Sequence, residues 1–158
     1  MDVHTPQVRS KNMRAIRNRN TKPELLIRKA LHAEGFRFRL NVRALKGCPD
    51  IVLPKYKVLI FVHGCFWHGH QCRMFQLPKT RPDFWRVKLE SNVKRDIISQ
   101  KHLLAEGWRV ATVWECSLRG LGKLPFEALV SELIRWIASS QIQTVEFKGT
   151  LIERISDT

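Results

Sequence analysis

Two kinds of hydrophobic pattern alternate along the chain, and their order predicts an α/β fold. Apolar runs bounded by Pro, Gly or Asp predict strands at residues 49–53, 57–62 and 108–114. Strict alternation at residues 36–40 predicts a further strand, half-buried and basic on its outer face. The strands at 49–53 and 57–62 are expected to pair as a β-hairpin whose second arm is central in the sheet. The strand at 108–114 follows a long helical segment, which favours a parallel pairing with a right-handed crossover.

Apolar residues spaced three and four apart predict three helices. The longest covers residues 84–104, with room for one break, and ends at Gly107. The last spans about 126–138, and residues 144–147 are expected to add an edge strand. The sequence shows no repeat, linker or low-complexity tract, so we predict a single α/β domain with a mixed central sheet flanked by helices.

The first helix carries its own start and stop signals. Thr21 can cap the first turn, Pro23 occupies a position that needs no backbone donor, and Glu24 completes a capping box. Gly35 ends the helix. On these grounds alone Glu24 is a structural cap. The predicted buried face consists of Leu25, Leu26, Ala30 and Leu31.

The composition narrows the class of protein. With 158 residues, of which 44% are hydrophobic, the chain is long enough for one domain with a real core and too short for two. Lys and Arg number 28 against 14 acidic residues, and the net charge of +14 makes a polyanion the expected partner rather than a small metabolite. Because no apolar run could span a membrane and no export signal is recognised, a reducing cytoplasmic environment is expected.

The chain is expected to divide into three parts. Residues 1–20 are basic and almost free of acids, so they form either a frayed terminus or an arm that orders on nucleic acid. The net charge favours the arm, in which Lys11 and Arg14 would neutralise backbone phosphates. Residues 21–148 form the folded domain, and residues 149–158 form a C-terminal tail without a recognisable pattern.

A cluster of soft metal ligands follows the central strand. The spacing Cys-x4-His-x-Cys is formed by Cys65, His70 and Cys72, and the strand at 108–114 delivers Cys116. Three thiolates and one imidazole complete a tetrahedral shell that suits zinc. Because this shell has no open position, the ion would be structural rather than catalytic. The alternative is a set of buried thiols without metal.

One acid and two imidazoles lie close to this cluster in the sequence. Asp50 begins the first arm of the hairpin and His63 ends the second, so both are expected at one end of the sheet. A carboxylate on a strongly basic surface suits Mg²⁺ held between it and a phosphate. The alternative is structural. Asp50 would then cap the turn after Pro49, and His63 and His68 would form hydrogen bonds without taking part in catalysis.

These residues belong to motifs that resemble the very-short-patch-repair (Vsr) DNA mismatch endonucleases over nearly the whole chain. The most specific are His63-Gly64-Cys65-Phe66-Trp67-His68 and Trp114-Glu115-Cys116. Further matches lie at residues 10–16, 47–50, 61–62, 72, 80–81, 84–85, 92, 95–96 and 107–110. The resemblance implies a restriction-endonuclease-like fold in which Phe61-Val62-His63 replaces the usual second acidic motif. It also implies Mg²⁺-dependent nicking of the thymine strand, 5′ to the T of a T:G mismatch left by deamination of 5-methylcytosine.

The resemblance also implies roles for individual residues in catalysis. Mg²⁺ would be held by Asp50 and by the backbone carbonyl of Val62. His68 would activate or orient water, and His63 would support the phosphate. Glu24 would contact metal-bound water, a role that competes with its function as a helix cap.

A second group of residues would enter the DNA. Phe66, Trp67 and Trp85 correspond to an aromatic wedge that enters the duplex beside the mismatch, and Met13 corresponds to a residue inserted from the N-terminal arm. The loop between the zinc ligands is too short to bury both Phe66 and Trp67, so at least one is expected to face outward. Because a T:G wobble stacks poorly, inserting rings there costs less than at a Watson–Crick step.

Four positions depart from the family pattern. Gly69 and Gln71 replace histidines of a His-rich run, which suggests that those histidines were not essential ligands. Val62 replaces a threonine, which is harmless if only the carbonyl binds metal, and Cys48 replaces a basic residue beside Pro49-Asp50, which leaves the flanking bases open. Two other functions are weighed against the mismatch nickase: a restriction enzyme of the same fold that cuts both strands, and a non-catalytic, zinc-stabilised DNA-binding protein. We expect a monomer that acts on double-stranded DNA, with other DNA-repair proteins as further partners.

Overall fold

A mixed sheet of five strands lies at the centre of the computed structural model, which describes residues 20–72 and 75–150. The strand order is β1-β2-β3-β4-β5. The strands are β1 (Arg39–Leu40), β2 (Ile51–Leu53), β3 (Val58–His63), β4 (Arg109–Trp114) and β5 (Thr144–Phe147). The helices are α1 (Lys22–Ala33), α2 (Pro82–Ala105), α3 (Glu115–Leu118) and α4 (Phe126–Ser139), with a 3-10 turn at Pro54–Tyr56. The predicted α/β fold class is confirmed.

The predicted hairpin is formed by β2 and β3. These strands pair antiparallel, and their connection turns at Lys57, whose φ of 56° lies in the left-handed region. β3 is the central strand and pairs in parallel with β4, so that His63 lies beside Trp114 at the end of the sheet. Helix α2 makes the crossover between them, and β5 extends the sheet as a parallel edge strand. This is the predicted topology.

The sheet separates two hydrophobic cores. The larger core lies under α1 and α4 and includes Ile27, Leu31, Val58, Ile60, Leu133 and Ile137. The smaller core lies under α2 and contains Val52, Leu59, Phe61, Leu103 and Val110. Because β3 is covered on both faces, its sequence is a continuous apolar run rather than an alternating one.

The predicted buried face of α1 is confirmed at Leu31 and wrong at Leu25 and Leu26. Leu25 and Leu26 are 43% and 38% exposed, whereas Ile27 and Leu31 are fully buried in the larger core. The buried residues Glu24, Ile27 and Leu31 are spaced three and four apart, so the packed stripe is rotated from the predicted one. This face buries Ile27 and Leu31 in the larger core, and it places Glu24 at the border of the site described below.

Two other elements differ from their predictions. The strand predicted at 36–40 is limited to β1, because β2 is only three residues long and offers few pairing partners. Helix α2 is unbroken over 24 residues, and much of its apolar surface is exposed. Its exposed large apolar residues are Phe84, Val87, Ile97 and Ile98. No described helix has the length and apolar composition that a membrane crossing requires.

Arg109, the first residue of β4, forms hydrogen bonds to the C-terminal end of α4. Its guanidinium donates hydrogen bonds to the carbonyl oxygens of Tyr56, Trp136, Ile137 and Ser140. The last carbonyls of a helix lack partners within the helix, and they carry partial negative charge. The Arg109 guanidinium supplies hydrogen-bond donors and a positive charge to these carbonyls. Its Cζ also lies 4.9 Å from the centre of the Trp136 ring.

Candidate metal centre and active site

Four ligands suited to zinc meet beyond the ends of β3 and β4. One ligand atom from each of Cys65, His70, Cys72 and Cys116 lies within 4.8 Å of the other three. Zinc–sulfur bonds of about 2.3 Å in a tetrahedron place the ligands roughly 3.8 Å apart, so small shifts close this cluster on an ion. A 2.9 Å hydrogen bond from His70 N to Cys65 O folds the loop back on itself. The cluster therefore fits the predicted zinc site.

Backbone donors support the sulfur atoms of this cluster. Cys116 N donates to Sγ of Cys65 at 3.4 Å, and Gly149 N donates to Sγ of Cys116 at 3.3 Å. Burial raises the pKa of the Cys65 and Cys116 thiols and lowers the pKa of His70. Zinc binding must therefore displace protons from these thiols, whereas the His70 imidazole is already neutral. Gly149 opens the segment predicted to be a tail. A Cβ there would collide with the carbonyl oxygen of Cys116, so only glycine fits.

The residues predicted to act in catalysis line one open cavity of about 910 Å³. Its lining includes Glu24, Asp50, Val62, His63 and His68. The carboxylate of Asp50 accepts a 2.7 Å hydrogen bond from Val62 N, so the pairing of β2 with β3 fixes its direction. Burial raises the pKa of Asp50 to about 7; the Val62 hydrogen bond opposes this shift, and the charge of Glu24 adds to it. A cation bound beside Asp50 would reverse the shift.

Glu24 is both a helix cap and a residue of this cavity. Its carboxylate accepts hydrogen bonds from Asn20 N at 2.9 Å and from Thr21 Oγ1 at 3.2 Å, while Glu24 N donates to Thr21 Oγ1 at 3.4 Å. Arg28 pairs with the same carboxylate at 3.0 Å. The predicted capping role is confirmed. Because the side chain also borders the cavity that contains Asp50, capping and contact with metal-bound water are geometrically compatible.

His63 and His68 form a stacked pair that Asp96 holds from one side. Their ring centres are 3.6 Å apart, and the rings are 5° from parallel. His68 donates from Nδ1 to Oδ2 of Asp96 at 2.6 Å. Burial lowers the pKa of His63, and the nearby His68 lowers it further. Although ligand atoms of all three residues lie within 4.8 Å, the lone pairs of parallel rings do not converge, so this trio suits proton transfer better than metal binding.

The aromatic residues predicted to form a wedge belong to one surface cluster, which we call the aromatic cluster. The ring of Phe66 lies 5.1 Å from that of Trp67 and 5.5 Å from that of Trp85, centre to centre. Phe75 stacks on Phe66 at 6.1 Å, and Phe84 meets Trp85 edge-on at 5.4 Å. Each of the five rings is at least partly exposed. The aromatic cluster is therefore available to a ligand.

Three polar residues of the site belong to the matched sequence motifs, but no role was predicted for them. Besides Asp96, Asn92 Nδ2 donates to the carbonyl of Trp67 at 2.9 Å, and Glu115 accepts a 3.3 Å hydrogen bond from Cys65 N. Asn92 and Asp96 are four residues apart on α2 and so face the same loop. The motif matches and this spacing were the available signals, but neither identifies the packed face of the helix. Three predicted residues lie outside the described part of the chain: Lys11, Met13 and Arg14.

Known proteins are similar to this chain over most of its length. The family described as DNA mismatch endonuclease Vsr matches residues 1–74. The DNA mismatch endonuclease Vsr of Escherichia coli K12 is 48% identical over 147 residues, which cover 90% of this chain and 94% of that protein. The type II nicking enzyme V.XorIIP of Xanthomonas oryzae is 52% identical over 123 residues, 78% of this chain and 90% of that enzyme. The type II nicking enzyme V.NmeAIP of Neisseria meningitidis is 47% identical over 118 residues, 75% of this chain and 84% of that enzyme.

The fold, the site and these similarities define a strand-nicking DNA endonuclease. More narrowly, the chain belongs to the Vsr DNA mismatch endonuclease family, as its sequence motifs predict. Its substrate is therefore DNA, which accounts for the net charge of +14.

Proposed function

We propose that the protein nicks the thymine strand of duplex DNA, 5′ to the T of a T:G mismatch. The observation that carries the proposal is a shared cavity, because Asp50 and His68 line the same space as Phe66 and Trp67. Groups suited to phosphodiester hydrolysis thus lie beside rings suited to base stacking. The high positive charge supplies affinity for any DNA, so selection must come from the rings and their neighbours.

Asp50 and the backbone carbonyl of Val62 would hold Mg²⁺, which when bound polarises the scissile phosphate and stabilises negative charge on the leaving oxygen. The oxygen donors fit this ion, which takes few protein ligands and completes its shell with water and phosphate. Val62 N already orients the Asp50 carboxylate before DNA arrives. Glu24, at the border of the same cavity, would accept a hydrogen bond from water in that shell.

His68 is the candidate general base. Its Nδ1–H is held by Asp96, which leaves the lone pair of Nε2 to accept a proton from the attacking water. The Asp96 carboxylate would then stabilise the imidazolium that forms. His63 would support the phosphate as a neutral hydrogen-bond donor, because burial lowers its pKa.

We assign selection of the mismatch to the aromatic cluster. Phe66 and Trp67 lie on the loop between the ligands Cys65 and His70, and Asn92 fixes the backbone of Trp67. Rings held in place before binding lose little conformational freedom on DNA. A T:G wobble stacks poorly, so opening it costs less than opening a Watson–Crick step, and stacking recovers about 1–3 kcal/mol per base.

A second candidate function is nicking at a particular sequence in fully paired DNA. It is favoured by the 52% identity to an enzyme described as a type II nicking enzyme. In that case the same residues would hydrolyse the phosphodiester, and the aromatic cluster would contact the duplex without requiring a mismatch. The two candidates differ only in how the substrate is selected.

The test is a panel of end-labelled duplexes that carry T:G, other mismatches or matched pairs in several flanking sequences. We expect one nick, 5′ to the T, in T:G duplexes incubated with Mg²⁺, and none when Mg²⁺ is omitted. Nicking of matched duplexes would support the second candidate. Cleavage of both strands would support a restriction enzyme instead.

The variant Asp50→Ala separates catalysis from binding. We expect it to bind the T:G duplex as the parent does but to lose nicking. Asp83→Ala is the matched control, because the side chain of Asp83 is 92% exposed and its ion pair within the described part of the chain is with Arg86. Undiminished nicking by Asp50→Ala would refute the catalytic assignment. A parent protein that binds but never nicks would be a DNA-binding protein without catalysis.

A further inference from the structure

We propose that Trp114 is a positioning residue that connects the zinc centre to the two histidines of the active site. Trp114 is the last residue of β4 and lies opposite His63, the last residue of β3, in the parallel register. It also precedes the zinc ligand Cys116 by two residues. The end of β4 is therefore shared by the two sites. The inference rests on the proposed function, because it requires His63 and His68 to act at the nick.

The indole of Trp114 contacts both sites directly. Its ring stacks on that of His70, with 4.2 Å between centres and 11° between planes. It meets His63 edge-on at 5.2 Å and His68 edge-on at 6.3 Å. Its Nε1 donates a 2.9 Å hydrogen bond to the carboxylate of Glu146 on β5. This bond restricts rotation of the indole within its own plane.

These contacts form a continuous packed path. Zinc coordination would immobilise His70, whose flat face then sets the plane of Trp114. The indole edge limits the rotation of His63, which stacks on His68, and Asp96 holds His68 from the far side. A displacement of about 1 Å in a catalytic group can lower a rate by 10². Through this path, an ion held by the cluster would influence the reaction rate as well as stability.

The position of Trp114 distinguishes it from a tryptophan that only fills a core. Trp114 is half-buried and borders a cavity of about 270 Å³ together with His63, His68 and Glu146. Trp136, by contrast, is 5% exposed and packs in the larger core. Trp108 packs against the smaller core and carries Lys57 at 4.0 Å above its ring.

The test compares Trp114→Leu, Trp114→Phe and the control Trp108→Leu. Three quantities are measured: the single-turnover nicking rate with saturating protein, the Kd for T:G duplex without Mg²⁺, and the zinc bound per chain. We expect Trp114→Leu to slow nicking about tenfold or more, with zinc content unchanged and Kd within about twofold of the parent. Trp114→Phe should restore most of the rate because it keeps a flat ring, and Trp108→Leu should nick at the parent rate.

Three results would overturn the inference: an unchanged rate in Trp114→Leu, a rate in Trp114→Phe as low as in Trp114→Leu, or a parallel loss of zinc or affinity. The variant His68→Ala tests the proposed function separately. If His68→Ala nicks normally, the proposed function fails at this residue. If His68→Ala is inactive while Trp114→Leu is normal, only the present inference fails.

Discussion

The Nδ1 of His68 donates its hydrogen bond to the carboxylate of Asp96. Replacing Asp96 by Asn removes the negative charge and offers an N–H where Nδ1 needs an acceptor, so the wrong tautomer is favoured. We expect Asp96→Asn to lower the nicking rate by about 10² to 10⁴, with DNA affinity retained. Single-turnover nicking and a binding titration measure the two effects, and Asp83→Asn on the same helix is the control. Nicking at the parent rate would exclude a His68–Asp96 general base.

Asp50 should make the magnesium requirement depend on pH. Burial raises its pKa to about 7, so at pH 6 most metal-free molecules carry a protonated carboxyl that competes with Mg²⁺. The Mg²⁺ concentration for half-maximal nicking should therefore fall about tenfold between pH 6 and pH 8, and level off above that. Magnesium titrations of the nicking rate at a series of pH values measure this change. A requirement that does not vary with pH would contradict the role of Asp50.

The raised pKa of Asp50 also affects the stability of the metal-free protein. Because the folded pKa of about 7 exceeds the ordinary value of 3.8, the proton contributes stability that is full below pH 4 and is lost as pH rises through 7. Asp50→Asn has no titrating group at this position. The melting temperature of the variant minus that of the parent should therefore increase between pH 5 and pH 8. Thermal melts without added Mg²⁺, with the zinc content of both proteins checked, provide the measurement. A constant difference across this range would show that Asp50 is ionised throughout.

Residue type and spacing predicted only part of the site. The zinc ligands could be predicted because Cys65, His70 and Cys72 are close in sequence, and Asp50 because it begins a strand. Asp96 could not be assigned a role, because it lies 28 residues from His68 and meets it only through the packing of α2. The two roles of Glu24 were left open because its distance from Asp50 depends on the tertiary fold.

At the scale of secondary structure, strands were predicted more accurately than helix faces. β3 and β4 are buried on both sides of the sheet, so their apolar runs mark them clearly. Helix α2 has apolar residues around its whole circumference, and several of them remain exposed. Its hydrophobic pattern therefore predicted the helix but not the face that packs.

The junction between β4 and α4 depends on Arg109. Replacing it by Met keeps an aliphatic stem but removes four hydrogen bonds to carbonyl oxygens. Because these carbonyls would lose a charged donor at a helix end, we expect Arg109→Met to lower the free energy of unfolding by about 3 kcal/mol. Urea unfolding measures the change. Arg135→Met, at an exposed position on α4, should stay within about 0.5 kcal/mol of the parent, and an equal effect of both variants would contradict this role.

At the scale of the whole molecule, the zinc cluster joins segments that are far apart in sequence. Cys116 lies 51 residues after Cys65, so a bound ion would link the loop after β3 to the helix after β4. We expect Cys116→Ser to cost about 3 kcal/mol or more, equivalent to a fall of roughly 10 °C in Tm. Cys48→Ser is the matched control, because Cys48 is exposed and lies outside the cluster. Thermal melts and metal analysis provide the measurement, and full stability of the zinc-free protein would refute a structural role.

The chemistry of the same cluster also exposes the enzyme to oxidants. Three of its four ligands are thiols, and thiolate sulfur reacts with peroxide. An oxidant that spared the aspartate and imidazole groups would still eject the ion and loosen the loop that carries Phe66 and Trp67. Strand nicking would then stop under the same conditions that damage DNA bases.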